Sequence, residues 1–385
     1  MSLPACLLIE TLLAPERAPV LTMAEWETLI GQARASQLLI RLATLLREQS
    51  LLQDIPPAPR RHLESSLRLH QRQLQAVRWE VEHLMLAFRQ AEIPLVLLKG
   101  AAYAVAELPP GRCRMFSDFD VLVRRDQLER IETILMMHGW SSADQNEYDQ
   151  RYYRTWMHEL PPMRHILRQS VIDVHHNLIP DTARLRPDPE RLLAASVPCA
   201  HRPEVRVLCG KDMILHSAVH LFHDGEFDHA LRDLFDIRDL VAHFITDEDR
   251  WRALIARAEE LKLSQPLHYA LRYLQRTLRV NIPHAVHTVL RRNEPGKLGV
   301  GVQDSVFGRG LLPKHGSCDD RLSGLARTAL YIRGHALRMP PRLLLPHLLR
   351  KALMRSNLLA DPAAPRRQEP LAGAATSTAG RPRRP

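Results

Sequence analysis

Between residues 95 and 123 the chain reads LVLLKGAAYAVAELPPGRCRMFSDFDVLV, and no other stretch limits the possible folds as much. Leu95 to Leu98 form a short unbroken apolar run, the pattern of a strand buried on both faces. Lys99-Gly100 ends the run, and a glycine lets another group come close to the backbone. Ala101 to Leu108 favours a helix, which Pro109-Pro110-Gly111 stops. Phe116 to Val123 then predicts a second strand. Asp118 and Asp120 lie two residues apart, so both carboxylates project from one strand face, opposite Phe119, Val121 and Val123. Carboxylates paired in this way repel each other and lose hydration. The usual compensation is a hard divalent cation such as Mg²⁺, bound by carboxylate and phosphate oxygens. The competing reading is a solvated face with two unrelated acids, against which stands the apolar continuation Val121-Leu122-Val123.

Leu98-Lys99-Gly100, followed by Arg112 or Arg114 and by Ser117-Asp118-Phe119-Asp120-Val121-Leu122-Val123, resembles the uncharacterised nucleotidyltransferase-like family of the DNA polymerase β superfamily. The resemblance extends over roughly residues 30 to 250. It implies an α/β (α+β) fold: a nucleotidyltransferase-type mixed sheet core flanked by helices, with a mostly helical N-terminal segment and a C-terminal helical domain. It also implies metal-dependent nucleotidyl transfer from a nucleoside triphosphate donor, with Mg²⁺ or Mn²⁺ as cofactor. Two departures stand out. Ala101 occupies the place where the superfamily usually has Ser, and the interval from Gly100 to Asp118 is longer than in the best-known members, though it suits this subgroup.

A third carboxylate is expected on a further strand. Val171-Ile172-Asp173-Val174-His175 alternates, so Asp173 and His175 share one face and Ile172 and Val174 the other. The resembled family has an acid followed two positions later by His at this place, which makes Asp173 the expected partner of Asp118 and Asp120 in both catalysis and metal binding. His175 either orients a carboxylate, touches phosphate, or is a satisfied core imidazole. Lys99, Gly100 and Ser117 are the expected nucleotide contacts: Gly100 by admitting phosphate to the backbone, Lys99 by neutralising charge as pyrophosphate leaves.

With 385 residues, 45% of them hydrophobic and 25% charged, the chain is globular and long enough for two domains. Five scattered cysteines without metal-site spacing fit a reducing compartment. The start, MSLPACLLIETLLAPER, lacks a basic region before its apolar part, and no apolar run reaches the length of a membrane span, so a cytoplasmic protein is expected. From Arg327 onward twelve Lys or Arg face only Asp361 and Glu369, which accounts for the whole formal charge of +10. The remainder is close to neutral and shows no basic groove for long nucleic acid. The basic C-terminal region, with Leu343 to Leu349 beside Arg342, Arg350, Lys351 and Arg355, is either a packed terminal helix or a weak contact for an anionic membrane surface.

Periodicity divides the chain into residues 1–92, helical; 93–180, the catalytic core; 181–210, a Pro-rich connection; 211–359, helical; and 360–385, a disordered basic tail. Residues 141–154 and 281–320 read as irregular. The helices at 212–222 and 230–244 and the segment between them carry His216, His220, His223, Asp224, Asp228, His229, Asp233, Asp236 and Asp239. That cluster supports a competing function, a metal phosphohydrolase. It equally suits a helical domain that closes over nucleotide with Arg232 or Arg238 near phosphate. A further alternative is an inactive nucleotide-binding or scaffolding protein, for which Ala101 speaks. The acceptor of a transferase is open: a small hydroxyl compound, a sugar or a protein side chain.

Overall fold

The computed structural model describes residues 4–142, 147–223, 227–290 and 296–338. Met1–Pro340 forms one compact unit. Pro341–Pro385 is a separate unit outside the described residues, as are the Leu343 to Leu349 segment, the expected disordered tail and Asp224.

Four helices lead in: α1 (Leu7–Leu13), α2 (Met23–Ala35), α3 (Leu39–Glu48) and α4 (Pro57–Gln90). Proline is tolerated in the first turn of α4, where the N–H would lack a partner anyway, and the 34-residue helix spans about 50 Å. Leu63, Leu67, Val77, Val81, Leu84 and Phe88 form its buried stripe. The sheet then begins with β1 (Leu95–Leu97), α5 (Lys99–Val105) and β2 (Asp118–Leu122). It continues through α6 (Leu128–Met137), β3 (Trp140–Ser142), α7 (Glu147–Trp156), β4 (Met163–His165) and β5 (Val171–His175). Next come α8 (Pro189–Ala194), β6 (Val197–Cys199) and β7 (Arg202–Val207).

The seven strands lie in the order β3-β4-β5-β2-β1-β7-β6. β1 runs antiparallel to β2 and parallel to β7, and every residue of β1 is buried, as its unbroken apolar run predicts. β2 and β5 are parallel neighbours in a register that sets Asp120 opposite Asp173 and Leu122 opposite His175. The described fold is therefore a mixed sheet flanked by helices, the α/β class expected from the sequence.

Three readings of chain organisation need correction. Residues 181–210 are not merely a connection: β7 pairs with β1 and completes the sheet on the side away from β5. Pro198 lies in the outermost strand β6, and Pro203 lies in β7 ahead of Val205–Val207, the residues that pair with β1. Residues 281–320 contain α13 (His284–Leu290) and α14 (Lys297–Gly310), because glycine lowers helix propensity without forbidding a helix that tertiary packing supports. Residues 141–154 contribute the end of β3 and most of α7 rather than loop.

The remaining helices, α9 (Gly210–His223), α10 (Ala230–Phe244), α11 (Glu248–Glu260), α12 (Ser264–Leu278) and α15 (Ser323–Arg338), pack with α13 and α14. Phe222, Tyr269, Tyr273 and Phe307 form an aromatic cluster joining α9, α12 and α14, and Arg333 of α15 lies 5.1 Å above the Phe307 ring. α9 meets α5 directly, where the Tyr103 hydroxyl and Ser217 Oγ share a 2.6 Å hydrogen bond. That contact fixes the helical layer next to α5 and the strands β1 and β2 that flank it.

Candidate active site

Strand parity places Asp118, Asp120, Asp173 and His175 on one face of the sheet, and the β2–β5 register makes Asp120 and Asp173 immediate neighbours. Asp120 is buried, and two bonds fall on its Oδ1: His175 Nε2 at 2.9 Å and Lys99 Nζ at 3.3 Å. Oδ2 takes no hydrogen bond among the described residues. His175 is gripped from its other side by Glu159 Oε2, 3.0 Å from Nδ1. The Glu159 segment reaches it by adding a bridge to the end of β5, with Leu160 N bonded to the Val174 carbonyl and His176 N to the His158 carbonyl.

The charges follow from this arrangement. Burial alone would raise the Asp120 carboxyl, but Lys99 and the hydrogen bond and charge of His175 hold it well below the usual carboxylate range. Burial alone would depress His175; Glu159 and Asp120 together outweigh it and raise the imidazole, so it is held as imidazolium. Burial raises Asp118, reinforced by Asp120 and opposed by Lys99 and Arg114. Asp173 is pushed up to about 7, first by burial and then by the charges of Asp120 and Glu159. Its Oδ1 is buried and has no hydrogen-bond partner. A half-buried carboxylate without a donor, beside two others, is a site short of positive charge. The hard-oxygen set of Asp118, Asp120 and Asp173 fits Mg²⁺ or Mn²⁺.

His158, Glu159 and His175 also place one ligand atom each within 4.8 Å of one another. This nitrogen-rich set does not suit a hard cation, and both ring nitrogens of His175 are already engaged.

The other expected site residues fall as follows. Lys99 sits at φ +44°, a left-handed conformation that is uncommon for a side chain and that delivers its ammonium to Asp120. Gly100 lies in the first turn of α5, and a Cβ there would meet Phe116 at 2.9 Å. Close packing of Phe116 by itself requires a glycine at this position. Ser117 is exposed, one residue ahead of β2. The guanidinium beside the carboxylates is Arg114: it lowers Asp118 and shares a small cleft with Lys99, Tyr103, Ser217 and His220. Arg232 is paired with Asp233 and Gln37, and Arg238 with Asp239.

The His216–Asp239 helices do not build a metal centre among the described residues. Asp236 is occupied by Arg41 and Arg114, Asp239 by Arg41 and Arg238, and Asp228 by Lys314. Burial, with the nearby Lys99, keeps His216 a neutral imidazole far below its ordinary range. Among the described residues, then, Asp233, Asp236 and Asp239 pair with arginines and Asp228 with Lys314, so these acids are already matched by cations of the chain. The spacing of Asp233, Asp236 and Asp239, one acid per turn on a buried face of α10, is the sequence signal for this role. Glu159 gives no such signal, because only the nonlocal bridge to β5 brings it in.

A mixed sheet with an Asp-x-Asp strand parallel to, and in register with, a strand carrying a third Asp, beneath a helical layer, defines a nucleotidyltransferase-type core. The chain belongs to the family described as "Uncharacterised nucleotidyltransferase", whose model matches residues 22–279. Membership supports a general nucleotidyltransferase activity. No curated protein and no solved structure gives a significant match.

Proposed function

We propose that the protein transfers a nucleoside monophosphate from a nucleoside triphosphate to a hydroxyl acceptor, with Asp118, Asp120 and Asp173 holding Mg²⁺ or Mn²⁺. The observation that carries this reading is the unpartnered, buried Oδ1 of Asp173 beside two further carboxylates on one sheet face. When bound, the cations neutralise charge on the reacting phosphoryl group and lower the pKa of the acceptor hydroxyl. The chain's own residues do the rest. Asp173, on the same face as Asp118 and Asp120, accepts the proton of the attacking hydroxyl at a carboxylate oxygen. Lys99 and Arg114 face the leaving pyrophosphate from the cleft beside Asp120. His175, fixed by Glu159, holds Asp120 in one orientation. The helical layer of α9 and α10 limits water above the reacting atoms, and positioning of this kind supplies most of the catalysis in phosphoryl transfer.

All five thiols are free, which supports a reducing compartment such as the cytoplasm, and no helix among the described residues is long and apolar enough to cross a membrane. The acceptor is a small hydroxyl compound, a sugar or a protein side chain rather than a long nucleic acid.

The test is incubation with each α-labelled NTP and Mg²⁺ or Mn²⁺, with cell extract as acceptor source. Label should move to an acceptor with at least one nucleotide, and Asp118→Asn and Asp173→Asn should each lower the rate by orders of magnitude. Metal-dependent nucleotide binding with no transfer by the parent protein would favour the inactive binding protein. Absence of binding would overturn both readings.

A further inference from the structure

The segment from His158 to Leu160 runs antiparallel beside β5, with its backbone tied to Val174 and His176. This brings three metal-ligating side chains together. Glu159 Oε2 is 3.0 Å from His175 Nδ1, and the His158 and His175 rings lie 5.2 Å apart at 38°. One nitrogen of each histidine and one Glu159 oxygen all fall within 4.8 Å of one another.

Two further observations point to a ligand. His158 is only 9% exposed, yet among the described residues neither of its ring nitrogens makes a hydrogen bond, and Nδ1 is wholly buried. Buried polar groups are rarely left unpaired, and a bound ion is one of the standard reasons for an exception. His175, for its part, is bonded through Nε2 to Asp120 Oδ1 at 2.9 Å, which aims Nδ1 at Glu159 and His158. A carboxylate on the far nitrogen is the usual support of a metal-binding histidine: it fixes the ring and makes the near nitrogen a better donor.

We propose that His158, Glu159 and His175 bind Zn²⁺, at a site distinct from the oxygen set of Asp118, Asp120 and Asp173. Two imidazoles and one carboxylate suit zinc rather than Mg²⁺ or Mn²⁺, and three protein ligands leave zinc one position for water. Glu159 gives the site its opening to solvent, with a side chain 16% exposed against 5% for His175. On binding, zinc forms bonds to the two imidazoles and the carboxylate, and the proton that Nδ1 shares with Glu159 leaves to solvent. Nε2 keeps its bond to Asp120, so His175 stays fixed while the region of the three carboxylates gains one positive charge. The site goes beyond nucleotidyl transfer, because its cation shares no ligand with the carboxylate set and holds no phosphate.

The full-length protein, stripped of metal by chelator and kept reduced with a phosphine, should be titrated with Zn²⁺ and with Co²⁺, whose visible absorption reports its ligands. The parent should bind one equivalent of either ion. His158→Phe keeps a buried ring but removes the ligand, and it should weaken binding about ten-fold or more. Glu159→Gln should do the same, and circular dichroism checks the fold of both variants. Asp118→Asn should bind as the parent does. Zn²⁺ should raise the melting temperature of the parent and leave that of His158→Phe unchanged. No saturable binding by the parent, or unchanged affinity in either folded variant, would overturn the proposal. Loss of binding in Asp118→Asn with retention in His158→Phe would place the ion on the carboxylate face and overturn the separate site. A near-ultraviolet sulfur-to-cobalt band would place it on the cysteines and overturn the ligand set. None of these readouts depends on turnover.

Discussion

Without divalent cations at pH 8, Asp173→Asn should make the protein more stable. Burial, with the charges of Asp120 and Glu159, pushes the Asp173 carboxyl up to about 7. In the unfolded chain the same group titrates near about 3.9. The folded state therefore binds more protons than the unfolded state between these values, so stability falls as pH rises through the window and stays low above it. A gap of about three pH units at about 1.36 kcal/mol each sets a ceiling of about 4 kcal/mol. Relaxation and water penetration reduce it to about 1–3 kcal/mol. At about 2 °C per kcal/mol for a chain of this size, the variant should melt about 2–6 °C above the parent. The assay is thermal unfolding followed by circular dichroism in chelator at pH 5 and pH 8, then with added Mn²⁺. At pH 5 the advantage should shrink by more than half. With Mn²⁺ the order should reverse, because the parent gains a cation that the variant holds poorly. A variant that is no more stable than the parent at pH 8 without metal would refute the reasoning, since Asp173 would then already be compensated.

Gly100→Ala should cost about 1–3 kcal/mol in urea unfolding, because the added Cβ meets Phe116 at 2.9 Å, and Phe116→Leu should recover part of the loss. Asp236→Ala should cost about 3–5 kcal/mol by leaving the buried guanidinium of Arg114 without its ion-pair partner while Arg41 keeps Asp239, whereas Asp239→Ala should cost less because Asp236 still holds Arg41. His175→Gln should destabilise most below about pH 6.5, where the imidazolium of the unfolded and folded states is complete, and the difference should diminish as pH rises through the higher folded-state pKa. Denaturant unfolding of parent and variant across pH 5.5 to 9 checks the last of these.

The strands β1, β2 and β5 were legible because their signals are local. The apolar run Leu95 to Leu98, the two-residue spacing of Asp118 and Asp120, and the alternation around Asp173 each depend only on the strand period. These set which residues share a face. They did not determine that β5 lies next to β2 in parallel, which is a nonlocal pairing and which alone makes Asp173 the neighbour of Asp120. Nor could periodicity bring β7 to the far side of β1, since prolines and charges there resemble those of a linker. Gly100 shows the limit from another side: composition flags a backbone without a Cβ, but only packing reveals that Phe116 fills the space. Glu159, Arg114 and Asp236 owe their roles to partners 16, 122 and 195 residues away. Local pattern can mark an acid on a buried helix face, as for Asp236, but cannot name a partner at such a separation. By itself, then, the sequence determined the strands β1, β2 and β5, the faces of their carboxylates and the class of fold. The tertiary structure decided which charges compensate one another, because burial and Coulomb interaction act through space rather than along the chain.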